Sequence, residues 1–328
     1  MKILIIQTAF IGDVILATPV IAEMCRLYPS AEIDVLVRKG NESLLENNPA
    51  IHQVLIWDKK SNKSLNLLHV FKRIRSHQYD IVINLQRFLS TGILTAFSGA
   101  KEKIGFSKNP LSSLFTSRIV HEIDSKQITH ETERNLKLIE KFGAKKLAKP
   151  SLFPSDDDFN KVEFYKDGTY FCLAPTSVWY TKQMPVKKWT ELIQLLRQKY
   201  PDSPIYLLGG PADLTACENI KSNIPSSNIV NIAGKLTFLQ TAALMKDATM
   251  NYVNDSAPLH ITSAMNAPVV AFYCSTIPAF GFGPLSDNSR IVEVSGLSCR
   301  PCGLHGHKQC PEGHFKCGFD LDLNKAMT

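Results

Sequence analysis

Short apolar runs recur along this chain, each followed by a stretch of helical periodicity, and the whole series occurs twice. That alternation is the strongest constraint on the fold, because strands interleaved with helices are the pattern of βαβ units and a parallel sheet. In the first series Lys2–Gln7, Ile33–Val37, Val54–Trp57 and Ile81–Asn84 read as strands. Val14–Tyr28, with Pro19 inside it, Leu65–Arg75 and Glu131–Phe142 read as helices, the last stopped by Gly143. The rhythm breaks over residues 149–168, where Pro150, Pro154, the acidic run Asp156–Asp158 and Gly168 predict a linker. It resumes with strands at Tyr170–Ala174, Ile205–Leu208, Met250–Val253 and Val269–Phe272. Helices alternate with these at Trp189–Tyr200, Leu214–Asn223, Phe238–Ala248 and Ala257–Met265. The prediction is an α/β chain of two Rossmann-like, doubly wound domains, residues 1–158 and 159–328, facing each other across a cleft. A length of 328 residues fits two such domains. In open sheets of this kind ligands sit at the carboxyl ends of strands, so the strand-to-helix loops are where chemistry is expected.

Composition excludes several classes. No apolar run approaches the roughly 18 residues needed to span a bilayer. Lys2 precedes an apolar stretch, but Gln7, Thr8, Gly12 and Asp13 interrupt it and no small-residue cleavage site follows, so a first strand and a cytoplasmic location are expected. Residues 1–158 hold 22 Lys and Arg against 17 Asp and Glu, and residues 159–328 hold 15 against 13. A mildly basic first half suits an anionic partner, or is simply a solvated surface. No block of like charge forms an arm for nucleic acid, and none is expected as a partner.

Four loops carry the candidate chemistry. Thr8–Asp13 joins the first strand to the first helix and lacks the G-x-G-x-x-G dinucleotide fingerprint. Asp13 there is either a general base for a hydroxyl nucleophile or a helix-capping carboxylate. Asn254–His260 follows a strand and opens a helix whose first amides, with Asp255, Ser256, Ala257 and His260, suit a phosphate; a well-capped structural helix explains it equally. The long loop Thr176–Pro185 offers Thr176, Ser177 and Lys182 to a diphosphate, although loop lysines are commonly just solvated. Asp213, ending Gly209–Asp213, either accepts from ribose hydroxyls or caps its own turn.

The eight cysteines fall into two groups. Cys25, Cys172, Cys217 and Cys274 are scattered in apolar segments as small core residues. Cys299, Cys302, Cys310 and Cys317, with His305, His307 and His314 nearby, have either the ligand chemistry of a structural zinc site or the role of packed thiols. Lys72, Arg73 and Arg75 flank the apolar positions Leu67, Leu68, Phe71 and Ile74 of one predicted helix, and Arg87 follows a strand. These cations suit phosphates of a lipid at a membrane surface, while an amphipathic helix packed on its sheet accounts for the first three.

Taken in order, the segments KILIIQTAFIGDVILATPVI, TSVWYTKQMP, VNDSAPLHITSAM and CRPCGLHGHKQCPEGHFKC resemble the ADP-heptose–lipopolysaccharide heptosyltransferases of glycosyltransferase family 9, over essentially the whole chain. The resemblance implies a GT-B fold, with the acceptor held by the first domain and the nucleotide-sugar by the second. It implies transfer of heptose from ADP-heptose to an anionic glycolipid, the inner core of lipopolysaccharide, at the inner membrane surface. Inversion at the anomeric carbon, no cofactor and no essential catalytic metal are also implied. By the same resemblance Asp13 is the base and Lys182 the group that stabilises the leaving diphosphate. Thr176, Ser177, Asp255, Ser256, Ala257 and His260 become donor ligands, Asp213 faces ribose and the Leu236 backbone lies beside adenine; Arg87 is expected to serve the acceptor from its charge and its place after a strand alone. This chain has Asp213 where the family often has Glu. A sugar-nucleotide epimerase of similar two-domain fold, and a noncatalytic sugar-nucleotide-binding protein, are the rival expectations.

Overall fold

The computed structural model describes residues 1–124, 128–145, 148–226 and 228–327. The chain divides into two compact units: Met1–Asp124 with Thr129–Phe153, and the chain from Pro154 onward with a short stretch around Ile128. Among the described residues no helix is long and apolar enough to cross a membrane.

In the first unit, strands β1 (Lys2–Ile6), β2 (Glu32–Arg38), β3 (Gln53–Trp57), β4 (Ile81–Asn84), β5 (Glu102–Phe106) and β6 (Ser117–Ile119) form one sheet in the order β3-β2-β1-β4-β5-β6. Every neighbouring pair is parallel. Helices α1 (Ile11–Ile15), α2 (Thr18–Leu27), α3 (Lys63–His77), α4 (Leu89–Ala96) and α5 (Glu131–Leu136) accompany it. Leu4, Ile6, Leu36, Leu55, Trp57, Val82 and Leu94 pack one core, onto which α3 presses Val70 and Ile74. The central strand β1 is apolar on both faces, and Ile3, Leu4, Ile5 and Ile6 are fully buried, as a strand covered on both sides requires.

The second unit repeats the plan. Helix α6 (Asp156–Val162) leads into β7 (Phe171–Ala174), α7 (Val186–Lys199), β8 (Ile205–Leu207), α8 (Leu214–Ser222), β9 (Ile229–Asn231), α9 (Phe238–Asp247), β10 (Met250–Asn254), α10 (Ala257–Met265), β11 (Val269–Tyr273) and β12 (Ser289–Glu293). The strand order is β12-β11-β10-β7-β8-β9, again parallel throughout. Read from its own first strand, this is the same arrangement as in the first unit. Strand order reverses beside β1 in one unit and beside β7 in the other, and a crevice for ligands opens at such a switch point.

Two expectations are corrected. The single helix over Val14–Tyr28 is two, α1 and α2, with the break at Leu16–Ala17 and Pro19 in the first turn of α2. Proline lacks the donor a helix interior needs but loses nothing in a first turn. The break is also tied down from outside, because the Asn135 side chain donates to the Leu16 carbonyl at 3.2 Å. The expected linker over 149–168 contains α6. The Ser155 hydroxyl accepts from the Asp158 amide, and the Asp158 carboxylate accepts from the Ser155 amide. The acidic run that suggested a linker is the favoured composition of a helix's first turn, and Val162 is fully buried.

Ser155→Ala should therefore destabilise the second unit by about 1 kcal/mol, the usual cost of losing a capping hydroxyl. Denaturant unfolding of the two proteins measures it, and an unchanged midpoint would mean that the cap contributes nothing.

Candidate active site

In the first unit the loop after β1 is pinned from several sides. Lys59 donates to the Thr8 carbonyl at 2.7 Å and to its hydroxyl at 2.9 Å, while its ammonium lies 4.6 Å from the Trp57 ring centre. Burial, then the charges of Arg38 and Lys63, push the Lys59 pKa down to about 8. The Asn41 side chain donates to the Ala9 carbonyl at 3.0 Å. Phe10, exposed and covered by the Arg38 guanidinium at 4.7 Å, opens α1.

Asp13 lies in the first turn of that helix, and its carboxylate accepts from the Phe10 amide at 3.1 Å. The capping geometry is thus real, yet the electrostatics exceed what a cap needs. The residue as a whole is half-buried, but its carboxyl sits in poorly solvated surroundings. Burial first, then the charge of Glu131, lift its pKa from 3.8 to about 6, against the Phe10 amide, its own amide and Arg38. Glu131 supplies a negative charge because its own surroundings favour ionisation. Burial opposes its charge, but hydrogen bonds and opposite charge from His121 (3.1 Å) and Arg134 (2.7 Å) outweigh that and hold it below the usual carboxylate range. A carboxyl raised toward neutrality at a switch point has the properties of a general base.

Arg87 follows β4, the strand beside β1, and is exposed. Lys72 and Arg73 are exposed on α3, whereas Arg75 donates to the Phe97 carbonyl at 3.3 Å. That helix packs on its own sheet, as the amphipathic pattern required.

In the second unit the loop after β7 and the loop after β10 are adjacent, since their strands pair directly. The fully buried Asn254 side chain joins the two ends of the first loop, donating to the Pro175 carbonyl at 2.7 Å and accepting from the Met184 amide at 3.0 Å. Between those ends Lys182 forms an ion pair with Asp255 at 2.7 Å, and both side chains are largely buried. The Thr276 hydroxyl donates to the same Asp255 oxygen at 2.6 Å. Thr176 and Ser177 are partly exposed in the same loop. Ser256 stands at the N-cap position of α10 without a capping bond from its side chain, and Ala257 and Pro258 are the first residues of the helix. His260 is buried one turn in, its ring centre 6.5 Å from that of Phe282.

The Asp213 carboxylate accepts from the Gly210 amide at 2.8 Å, so it caps its own turn. That turn is zipped to the loop holding the half-buried Leu236 by a bond from the Gly234 amide to the Gly209 carbonyl at 2.8 Å. Gly234 has φ +75°, and a Cβ there would stand 2.9 Å from Pro211 Cα, so only glycine permits the approach.

Among the described residues no three His, Cys, Asp or Glu side chains form a group that could hold a metal ion. Cys317 is a core residue, and the Cys302 thiol lies 3.2 Å from the Cys299 carbonyl. Glu131, Lys59, Asn254 and Thr276 were not foreseen from the sequence. Only Asn254 carried a signal, a polar residue ending an apolar strand.

Comparison with known proteins bears on the family and the fold. The family model for glycosyltransferase family 9 (heptosyltransferase) matches residues 67–316. Lipopolysaccharide heptosyltransferase 3 of Escherichia coli is 29% identical over 291 residues, spanning 85% of this chain and 85% of that protein. The structure of E. coli ADP-heptose lipopolysaccharide heptosyltransferase II superposes with a TM-score of 0.77 at 21% identity, covering 92% of this chain and 96% of the other. A glycosyltransferase family 9 protein of Veillonella parvula gives 0.79 at 21% identity, covering 88% and 85%. The fold is of the GT-B type.

The Asp13 environment has a thermodynamic signature. Its pKa is higher folded than unfolded, so the stability contributed by the protonated form is present below about pH 4 and lost as pH rises through about 6. Asp13→Asn, which cannot ionise, should therefore melt at or above the native temperature at pH 8, with a smaller difference at pH 4.5. Equal destabilisation at both values in thermal unfolding would reduce Asp13 to a cap.

Proposed function

Because the chain belongs to glycosyltransferase family 9 (heptosyltransferase), we propose that it transfers heptose from ADP-heptose to the inner core of lipopolysaccharide, inverting the anomeric configuration. The observation that carries the reading is a carboxyl raised to about 6 at the switch point of the first unit; the second unit, taken by itself, holds a largely buried lysine in the loop at its own switch point.

In this mechanism the Asp13 carboxylate accepts the proton of an acceptor hydroxyl as that oxygen attacks the anomeric carbon. The bond from that carbon to the β-phosphate oxygen breaks in the same displacement, and ADP departs with added negative charge. The Lys182 ammonium, the Thr176 and Ser177 hydroxyls and the amides opening α10 at Ser256 and Ala257 stabilise that charge. Asp255 and His260 complete the donor site. An adenine beside the Leu236 backbone and a ribose facing Asp213 suit two loops joined by the Gly234–Gly209 hydrogen bond. Before the donor binds, Asp255 is the counter-ion of Lys182; the diphosphate takes over part of that role.

The acceptor is an anionic glycolipid. Arg38 and Lys59 beside the Asp13 loop, and Arg87 beyond β4, supply positive charge. Next to Arg87 the apolar side chains of Phe88 and Leu89 are 63% and 54% exposed, a combination suited to peripheral contact with the cytoplasmic face of the inner membrane.

Asp13→Asn should lower turnover by roughly 10²–10⁴ with donor affinity nearly unchanged. In the native enzyme kcat/KM should fall as pH drops through about 6, as the base is protonated. Steady-state kinetics across pH checks both, and near-normal turnover in Asp13→Asn would refute the base assignment.

With ammonium and helix amides supporting the leaving group, activity should persist in chelator, while Lys182→Ala should cut turnover by roughly 10²-fold or more. Lys182→Arg should recover only part, since a planar fork does not replace a compact ammonium. Complete loss in chelator, restored by magnesium, would contradict this mechanism.

A further inference from the structure

The tail that carries Cys299–Cys317 has no part in the reading above, yet it reaches the residue next to Lys182. Thr181 is buried, at 1% exposure. Its hydroxyl oxygen accepts from the His307 amide at 2.7 Å and from the Ser275 hydroxyl at 3.0 Å. Its own amide donates to the His307 carbonyl at 3.1 Å, and its carbonyl accepts from the Ser275 amide at 3.2 Å. Every polar group of Thr181 is therefore committed to either the tail or the end of β11.

The tail lies against the lysine stem as well. Gly306 has φ +78°, and a Cβ there would stand 2.9 Å from Lys182 Cγ, 3.1 Å from Thr181 Oγ1 and 3.2 Å from Trp179 Cβ. Only a residue without a side chain lets backbone lie this close to the lysine methylenes.

The tail is itself anchored. The Cys302 amide donates to the Ser275 carbonyl at 3.0 Å, and the His307 ring donates through Nε2 to the Cys302 carbonyl at 2.8 Å. The Arg300 guanidinium donates to the carbonyls of Cys274, Thr276 and Val294 at 2.7, 2.7 and 3.0 Å, and pairs with Glu293. Thr276, held in this way, is the residue whose hydroxyl reaches Asp255, the partner of Lys182.

We propose that Thr181 and the Gly306–His307 turn of the tail form a clamp that positions the Lys182 ammonium for the donor diphosphate. Thr181 is a positioning residue, acting through Lys182 and not touching substrate. The inference rests on the reading of Lys182 as a diphosphate ligand. Lys182 ends a three-residue 3₁₀ turn, Tyr180–Lys182, from which a lysine otherwise swings through many rotamers, and electrostatic help to a leaving group falls steeply when the charge is misplaced. The clamp fixes the backbone on one side of the stem and packs the methylenes on the other.

The test is donor-saturation kinetics on four full-length variants, with ADP-heptose and lipopolysaccharide acceptor, alongside thermal unfolding. Thr181→Val keeps the shape and removes the hydroxyl; Thr181→Ser keeps the hydroxyl; Gly306→Ala adds the intruding methyl; Lys182→Ala is the reference. The expected result is a kcat lowered roughly 10-fold or more in Thr181→Val, recovered in Thr181→Ser, with acceptor KM little changed. Gly306→Ala should lose kcat in the same way; should it fail to fold, the Val and Ser pair carries the test. Native kcat in Thr181→Val beside an inactive Lys182→Ala would overturn the clamp and leave the lysine assignment standing. Equal losses in Thr181→Val and Thr181→Ser would also overturn it. An active Lys182→Ala would remove the assignment itself, and the clamp with it.

Discussion

A fully parallel sheet allows each strand to return only through a crossover, so all its strands deliver their carboxyl ends to one edge. Both six-stranded sheets of this chain obey that constraint with the same strand order, and every chemistry-bearing loop described here hangs from such an end. Asp13 follows β1, Arg87 follows β4, Lys182 follows β7 and Asp255 follows β10. In each unit the two important loops flank the place where strand order reverses. Direct pairing of β7 with β10 then makes the Lys182–Asp255 ion pair a consequence of register.

The two centres handle charge in opposite ways. Asp13 is placed where its ionised form is disfavoured, with Glu131 as a fixed negative neighbour, so its ionisation costs the folded state stability as pH rises through about 6. Lys182 is placed where its charge is satisfied by Asp255, with Thr276 bonded to the same carboxylate. A buried ion pair adds little net stability, because desolvation offsets the attraction. What it preserves is a cation in low-dielectric surroundings, oriented before any ligand arrives. Preorganised charge of this kind needs no rearrangement during reaction.

Much of this was legible in the sequence, for definable reasons. The central strands read clearly because burial on both faces leaves continuous apolar runs, and the loops after them stood out as polar interruptions. Asp13, Lys182 and Asp255 stood out as candidates that way. Strands β5, β6, β9 and β12 were not, since they are short or carry Lys103, Arg118 and Arg290 on partly or fully exposed positions. The partners that tune the centres were hidden for a different reason. Glu131 reads as an ordinary first-turn acid, and only packing of α5 on the α1–α2 break brings its charge to bear on Asp13. The cysteine spacing left a metal site and packed thiols both open; in the fold Cys317 is a core residue and the backbone around Cys302 and His307 makes hydrogen bonds.

The most direct measurement is incubation with ADP-heptose and a purified inner-core acceptor that lacks the added heptose, followed by mass spectrometry and NMR of the product. The account predicts one heptose added per acceptor, release of ADP, and an anomeric configuration opposite to that of the donor. Retained configuration, or a donor epimerised or hydrolysed while the acceptor stays unmodified, would contradict it.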